Sequence, residues 1–200
     1  MLKLYDFLES GNGYKVRLVL ASLEIPYERI ELDITLGETR TPQFLARNAN
    51  GRIPTLELED GSFLSESNAI AWYLAEDTRL LPEDRFERAK VLQWMFFEQY
   101  SHEPYVAVVR FWIHQGLTPE QQDQIDEKHK RGYEALDVMD QHLEGADYFV
   151  GGRFSIADFA LYAYTHVAHE GGFDLSGYPH IGRWLARVRE QPGHIPITQA

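Results

Sequence analysis

A mixed α/β unit followed by an all-helical unit is the fold class that the sequence predicts. Three observations carry it. Over the first part of the chain, period-two apolar alternation and helical apolar stripes succeed one another in the order β-α-β-α-β-β-α. Then Asp77-Thr78-Arg79-Leu80-Leu81-Pro82-Glu83-Asp84 offers a proline and few periodic apolar positions, which reads as a linker. Beyond it strand signals become scarce, and capping boxes open long helical stripes. The expected division is residues 1–76, a linker at 77–84, and a helical region at 85–200.

Leu2–Asp6 reads as a first strand, and Val16, Val19, Leu20 and Leu23 form a helical stripe over Tyr14–Glu24. Ile30, Leu32 and Ile34 alternate as a second strand. Thr41 is placed to cap a short helix with Pro42 at its first position. Strand, helix, strand at the front implies a parallel pair joined by a crossover. Gly51-Arg52-Ile53-Pro54-Thr55-Leu56 leads into the alternation Leu56, Glu57, Leu58, Glu59, then the turn pair Asp60-Gly61 and Ser62-Phe63-Leu64. That pattern is an antiparallel hairpin. Pro54 has no N–H to give a ladder, so it belongs at a strand's start or edge. Ser67 is the expected N-cap of a helix carrying Ala69, Ile70, Trp72, Tyr73 and Leu74. A helix start presents free N–H groups and positive potential, which suits a carboxylate. Strand, hairpin and helix start lie close together in the chain, the outline of a small-molecule site.

In the second half, Phe86–Gln115 is an apolar-rich helical stretch that Pro104 should kink or divide. Thr118-Pro119-Glu120-Gln121 is a capping box with proline at N1, opening a helix to about Leu143. Its stripe is Ile125, Gly132, Leu136, Met139 and Leu143. Ser155 to Asp158 is a second box, with Phe154 and Phe159 in the positions of a hydrophobic staple. A last helix starts near Pro179 and turns Ile181, Trp184, Leu185 and Val188 inward. No internal repeat or low-complexity tract is present.

Composition narrows the function. The net charge is −12, and residues 1–80 hold eight Lys and Arg against thirteen Asp and Glu, so neither half carries a basic footprint for nucleic acid. The cluster Lys128-His129-Lys130-Arg131 sits among acidic residues as a solvated helix face. With no cysteine there is no disulfide, thiol nucleophile or thiolate metal site. No signal-peptide core or membrane-length apolar run is found, and a soluble cytoplasmic protein is expected. His166 and His169 stand three apart on a helix without a recognised metal motif, and His102-Glu103-Pro104 lacks a second histidine.

The order of elements, together with Asn50-Gly51-Arg52-Ile53-Pro54-Thr55-Leu56, Glu66-Ser67-Asn68-Ala69-Ile70-Ala71-Trp72-Tyr73-Leu74, Phe154-Ser155-Ile156-Ala157-Asp158-Phe159-Ala160-Leu161 and Tyr178-Pro179-His180-Ile181-Gly182-Arg183-Trp184, resembles the cytosolic glutathione transferases over essentially the whole chain. The resemblance implies an α/β thioredoxin-like N-terminal domain plus an all-α C-terminal helical domain. It implies glutathione as co-substrate, no metal, and a homodimer. Pro54 would be cis, with the Ile53 backbone pairing the cysteinyl part of glutathione. Glu66 and Ser67 would receive the γ-glutamyl end, Ser67 offering its hydroxyl and a helix N–H to the carboxylate. Arg52, and less directly Arg40, would lie near the glycyl carboxylate.

The thiol donor would come from the loop Phe7-Leu8-Glu9-Ser10-Gly11-Asn12-Gly13, where Ser10 holds the family's place and Asn12-Gly13 resembles the bacterial nu-class loop. A donor beside a helix start stabilises thiolate over thiol. Tyr5 falls in the strand pattern and is the weaker donor. Tyr100, Glu103, Tyr105, Val106 and Arg110 on the long helical stretch are the expected co-substrate wall. The implied reaction is attack of the glutathione thiolate on a small electrophile. Glutathione-dependent disulfide reduction and a non-catalytic binding or regulatory module are the alternatives. Asp158 is expected to serve folding by closing its capping box.

Overall fold

β1 (Leu2–Asp6) is the strand on which the first part of the protein is assembled, with Leu4, Tyr5 and Asp6 buried. The structure is a computed structural model that describes residues 1–199. The chain folds into two units, one of residues 1–78 joined by the segment from Gln191, the other of residues 79–190.

In the first unit, α1 (Gly11–Ser22) carries the chain across to β2 (Tyr27–Glu31), which pairs parallel with β1. A short α2 (Pro42–Leu45) follows, capped by the Thr41 hydroxyl on the Phe44 N–H, as expected. β3 (Thr55–Glu57) and β4 (Phe63–Ser65) form the hairpin, and α3 (Ser67–Ala75) closes the unit. The sheet order is β2-β1-β3-β4, with β3 antiparallel to both neighbours. This is the thioredoxin-like mixed sheet.

Three boundaries differ from the sequence expectation. α1 begins at Gly11 rather than Tyr14, because the Ser10 hydroxyl accepts the Gly13 N–H and caps the helix early. The pair Gly11 and Gly13, poor helix formers, hid that first turn. Gly13 is required there: a Cβ would fall 1.6 Å from Asp6 Oδ1. β2 is Tyr27–Glu31, starting ahead of the Ile30, Leu32, Ile34 alternation, and Ile30 lies opposite Tyr5. At α3 the N-cap is Glu66, and Ser67 is the first helical residue.

The second unit is helical: α4 (Arg85–Phe97), a π turn (Glu98–His102), α5 (Glu103–Gln115), α6 (Pro119–Leu143), α7 (Ile156–Thr165) and α8 (Pro179–Arg189). Pro104 falls in the first turn of α5, where a missing N–H costs little, so the long helical stretch divides there. Both capping boxes close as read, at Thr118 with Gln121 and at Ser155 with Asp158. The staple rings Phe154 and Phe159 meet edge to face at 4.7 Å. Asp158 is wholly buried and accepts from the N–H groups of Phe149, Ser155 and the Trp184 indole and from the Ser155 hydroxyl. Burial pushes its carboxyl up to about 6, against the pull of those donors. α8 has no side-chain cap of its own; Asp140 on α6 accepts the His180 and Ile181 N–H groups instead.

The last segment does not extend the helical unit, where the sequence division had placed it. Tyr14 Oη donates to the Ile195 carbonyl at 2.5 Å, and Arg17 Nη1 donates to those of Ile197 and Gln199. These bonds fasten it along α1. Among the described residues, no helix is long and apolar enough to cross a membrane.

Candidate functional site

Strand register alone brings the candidate residues together. β1 ends opposite the start of β3, with Tyr5 facing Thr55, and β3 starts opposite the end of β4, with Thr55 facing Ser65. The loop after β1, the Ile53-Pro54 segment before β3 and the Glu66-Ser67 turn after β4 therefore emerge at one end of the strands. The side chains meet there. Ser67 Oγ donates to Asn12 Oδ1 at 3.2 Å, and Lys15 Nζ donates to the same oxygen at 2.9 Å.

Ser10 stands at the head of α1, partly exposed; its oxygen caps Gly13, and its own proton is not used by that bond. Asn12 occupies the helix's first turn, so both candidate donors sit where the helix field is positive. Beneath them Asp6 and Arg17 form a fully buried ion pair at 3.0 Å. Arg17 Nη2 also donates to the Leu8 carbonyl, tying the candidate donor loop to α1 and, through Asp6, to β1. Burial raises the Asp6 carboxyl to about 6, while the Arg17 cation opposes that rise. Tyr5 donates its hydroxyl to Glu57 at 2.7 Å, which removes it as a thiol donor.

The Ile53–Pro54 peptide is cis, and Pro54 is buried. The loop that presents it is held by a residue sequence reading passed over. Buried Asn48 donates to the Arg52 carbonyl at 2.8 Å and to Thr55 Oγ1 at 3.1 Å, and accepts from the Asn50 N–H. An Asn several residues before a strand gives no pattern signal; its role shows only once the loop closes over it. The Arg52 side chain is exposed. Arg40, also exposed, donates to the Asn50 carbonyl at 3.0 Å and crosses the face of Gly51, so its first task is bracing this loop.

Glu66 adopts φ +70 and ψ 113, a region L-residues rarely enter. Strain of this kind costs of the order of 1–3 kcal/mol and collects at ligand-binding turns. It aims the exposed Glu66 carboxylate outward and leaves Ser67 buried, with its N–H at the helix start. The expectation that Ser67 is a side-chain cap is corrected: its hydroxyl reaches across to Asn12.

The expected co-substrate wall is only partly available. Val106 is buried in the second unit's own core, and Arg110 is buried in an ion pair with Glu170 at 2.6 Å, so neither offers an open wall. The sequence placed them on one helical face correctly, but that face packs inward. Tyr100 is 84% exposed, Glu103 is half-buried, and Tyr105 is half-buried with the Lys128 ammonium over its ring. His166 bonds the Tyr162 carbonyl and stacks on that ring. Among the described residues, no group of three or more His, Asp and Glu side chains is placed to hold a metal ion.

Residues 1–76 match the family model for the glutathione S-transferase N-terminal domain, and residues 92–192 match that for the C-terminal domain. The chain belongs to the glutathione S-transferase family. Among solved structures of this family, a glutathione S-transferase from Pseudomonas fluorescens [Pf-5] is 54% identical, with 99% of each chain covered and a TM-score of 0.97. The disulfide-bond oxidoreductase YfcG of Escherichia coli K12 is 32% identical over 96% of this chain and 92% of its own length. Glutathione S-transferase GstB of the same organism is 30% identical over 96% of this chain and 95% of its own. The glutathione S-transferase fold and a transferase-type enzyme are thereby supported together.

Proposed function

We propose that the strand end carrying Ser10, Asn12, Ile53, Pro54, Glu66 and Ser67 binds glutathione and holds its sulfur as thiolate for attack on a small electrophile. The observation that carries this reading is the meeting of Asn12 with Ser67, which joins the expected thiol-donor loop to the expected γ-glutamyl anchor. The Ile53 backbone would pair the cysteinyl part. Ser67 N–H would take the γ-glutamyl carboxylate, Glu66 its ammonium, and Arg52 the glycyl carboxylate. Ser10 and Asn12 donate to sulfur at the positive end of α1, which favours thiolate over a thiol whose ordinary pKa is about 8.5. The sulfur forms a bond to the electrophilic carbon, and the displaced group leaves with the electron pair. Binding positions the nucleophile, and donation sets its charge.

Glutathione-dependent disulfide reduction is the second reading. It is favoured by the Asn12-Gly13 loop and by the similarity to a relative named as a disulfide-bond oxidoreductase. This chain has no cysteine, so two glutathione molecules would supply both thiols and leave as glutathione disulfide. Turnover of an aryl halide, an epoxide, a peroxide and a mixed disulfide, each with glutathione, separates the readings. Conjugation of the halide or epoxide supports the first. Turnover confined to the mixed disulfide transfers the assignment to the second, and no turnover of any substrate points to a binding module.

A further inference from the structure

Lys15 is out of place for a helix of this kind. It lies one turn into α1, near the positive end of the helix, where a cation is disfavoured, and its side chain is fully buried. Burying a charged group is costly unless something holds it. Lys15 Nζ donates to the Asn12 side-chain oxygen at 2.9 Å.

The chemistry of that contact is asymmetric. An asparagine amide can turn over, exchanging oxygen for NH2 at nearly the same place. The Ser67 hydroxyl, 3.2 Å from the same oxygen, tolerates either face because a hydroxyl both donates and accepts. An ammonium has only donors, so it accepts one face. With Lys15 present, the amide oxygen must point inward and its N–H groups away from the ammonium. Without it, the turned-over amide becomes accessible and would set a carbonyl oxygen against a ligand anion.

Resting on the proposed glutathione-binding reading, we propose that Lys15 is a positioning residue that locks the Asn12 amide in its donor orientation toward the glutathione sulfur. It acts through Asn12 and not by contact with the substrate. Ser67 is the common member, linking the anchor of the γ-glutamyl end to the same amide.

The test is thiolate absorbance against pH for glutathione bound to the native protein, Lys15→Arg, Lys15→Gln, Asn12→Ala and the Lys15→Gln/Asn12→Ala double variant. Arginine remains donor-only and should recover most of the native titration. Glutamine both donates and accepts, stays polar, and should raise the thiol midpoint by about one unit, the order expected for one hydrogen bond to a charged atom. Turnover measured well below the native midpoint should fall by up to about tenfold with it, and by less near neutral pH, with glutathione affinity changed much less. In the Asn12→Ala background, Lys15→Gln should add no further shift. An equal shift in both backgrounds overturns the proposal, since Lys15 would then act by its charge alone. A native midpoint in Lys15→Gln overturns it too, leaving Lys15 a structural residue. Absence of glutathione binding by the native protein in calorimetry would instead overturn the function on which this reading rests.

Discussion

Replacing Asp158 with alanine should cost far more stability than the loss of an ordinary helix cap. A cap is worth about 0.5–2 kcal/mol. Asp158 does more than cap α7: its two oxygens accept from the N–H of Ser155 at 2.9 Å, the N–H of Phe149 at 3.2 Å and the indole N–H of Trp184 at 2.9 Å. Trp184 is wholly buried and Phe149 nearly so. Alanine leaves three buried donors without an acceptor, each at about 1–3 kcal/mol. Because neighbouring losses are not additive, about 3–6 kcal/mol is expected, a large part of a domain's usual 5–15 kcal/mol. Urea unfolding followed by tryptophan fluorescence reads this directly. The same group sets a pH dependence. Its folded pKa, about 6, stands above its ordinary 3.8, so the folded state holds the proton more tightly. The group's contribution is therefore fully present below about pH 4 and is lost as pH rises through about 6, a change of about 3 kcal/mol. Asp158→Asn cannot titrate and should lose that share of the slope, leaving only what Asp6, also raised to about 6, contributes. A loss below about 1 kcal/mol for alanine, a native pH slope for asparagine, or intact stability with abolished turnover would each refute the reasoning.

Gly13→Ala should destabilise the first unit and weaken the donor loop, since its Cβ would fall 1.6 Å from the Asp6 carboxylate; a native melting temperature would show that β1 and α1 can part at little cost. Asn48→Ala should lower stability by about 1–3 kcal/mol and weaken glutathione binding through the loose Arg52-Ile53-Pro54 loop, checked by unfolding and calorimetry together. Deleting residues from Gln191 onward should destabilise the first unit, because Tyr14 and Arg17 lose carbonyl acceptors; hydrogen exchange should rise in α1, and unchanged α1 exchange would contradict this.

What the sequence disclosed was whatever local chemistry decides. Thr118 with Gln121 and Ser155 with Asp158 announce their helices because a capping box is complete within four residues. The Asp60-Gly61 hairpin and the stripe from Ile125 to Leu143 are equally local. The candidate site residues Ser10, Asn12, Ile53, Pro54, Glu66 and Ser67 are nameable from motifs, but their bonds are not. The Ser67–Asn12 contact depends on pairing β1 with β3 and β3 with β4, a long-range matter. Gly11 and Gly13 concealed the start of α1 because the reason for glycine at position 13 is the distant Asp6 carboxylate. Asn48 was invisible for a like reason, being useful only inside a closed loop. Val106 and Arg110 show the converse: helical spacing identified a shared face, while the partners Gly132, Phe173 and Glu170 that fill it came from elsewhere in the chain.

Isothermal titration of glutathione into the native protein and Ser67→Ala bears most directly on the proposal that this end of the sheet's strands is a glutathione site. Saturable binding by the native chain is predicted, with Ser67→Ala weakened by at least about tenfold, corresponding to about 1.5 kcal/mol for a hydrogen bond in a charged network. No heat above dilution at millimolar glutathione would contradict the claim, as would native affinity in Ser67→Ala.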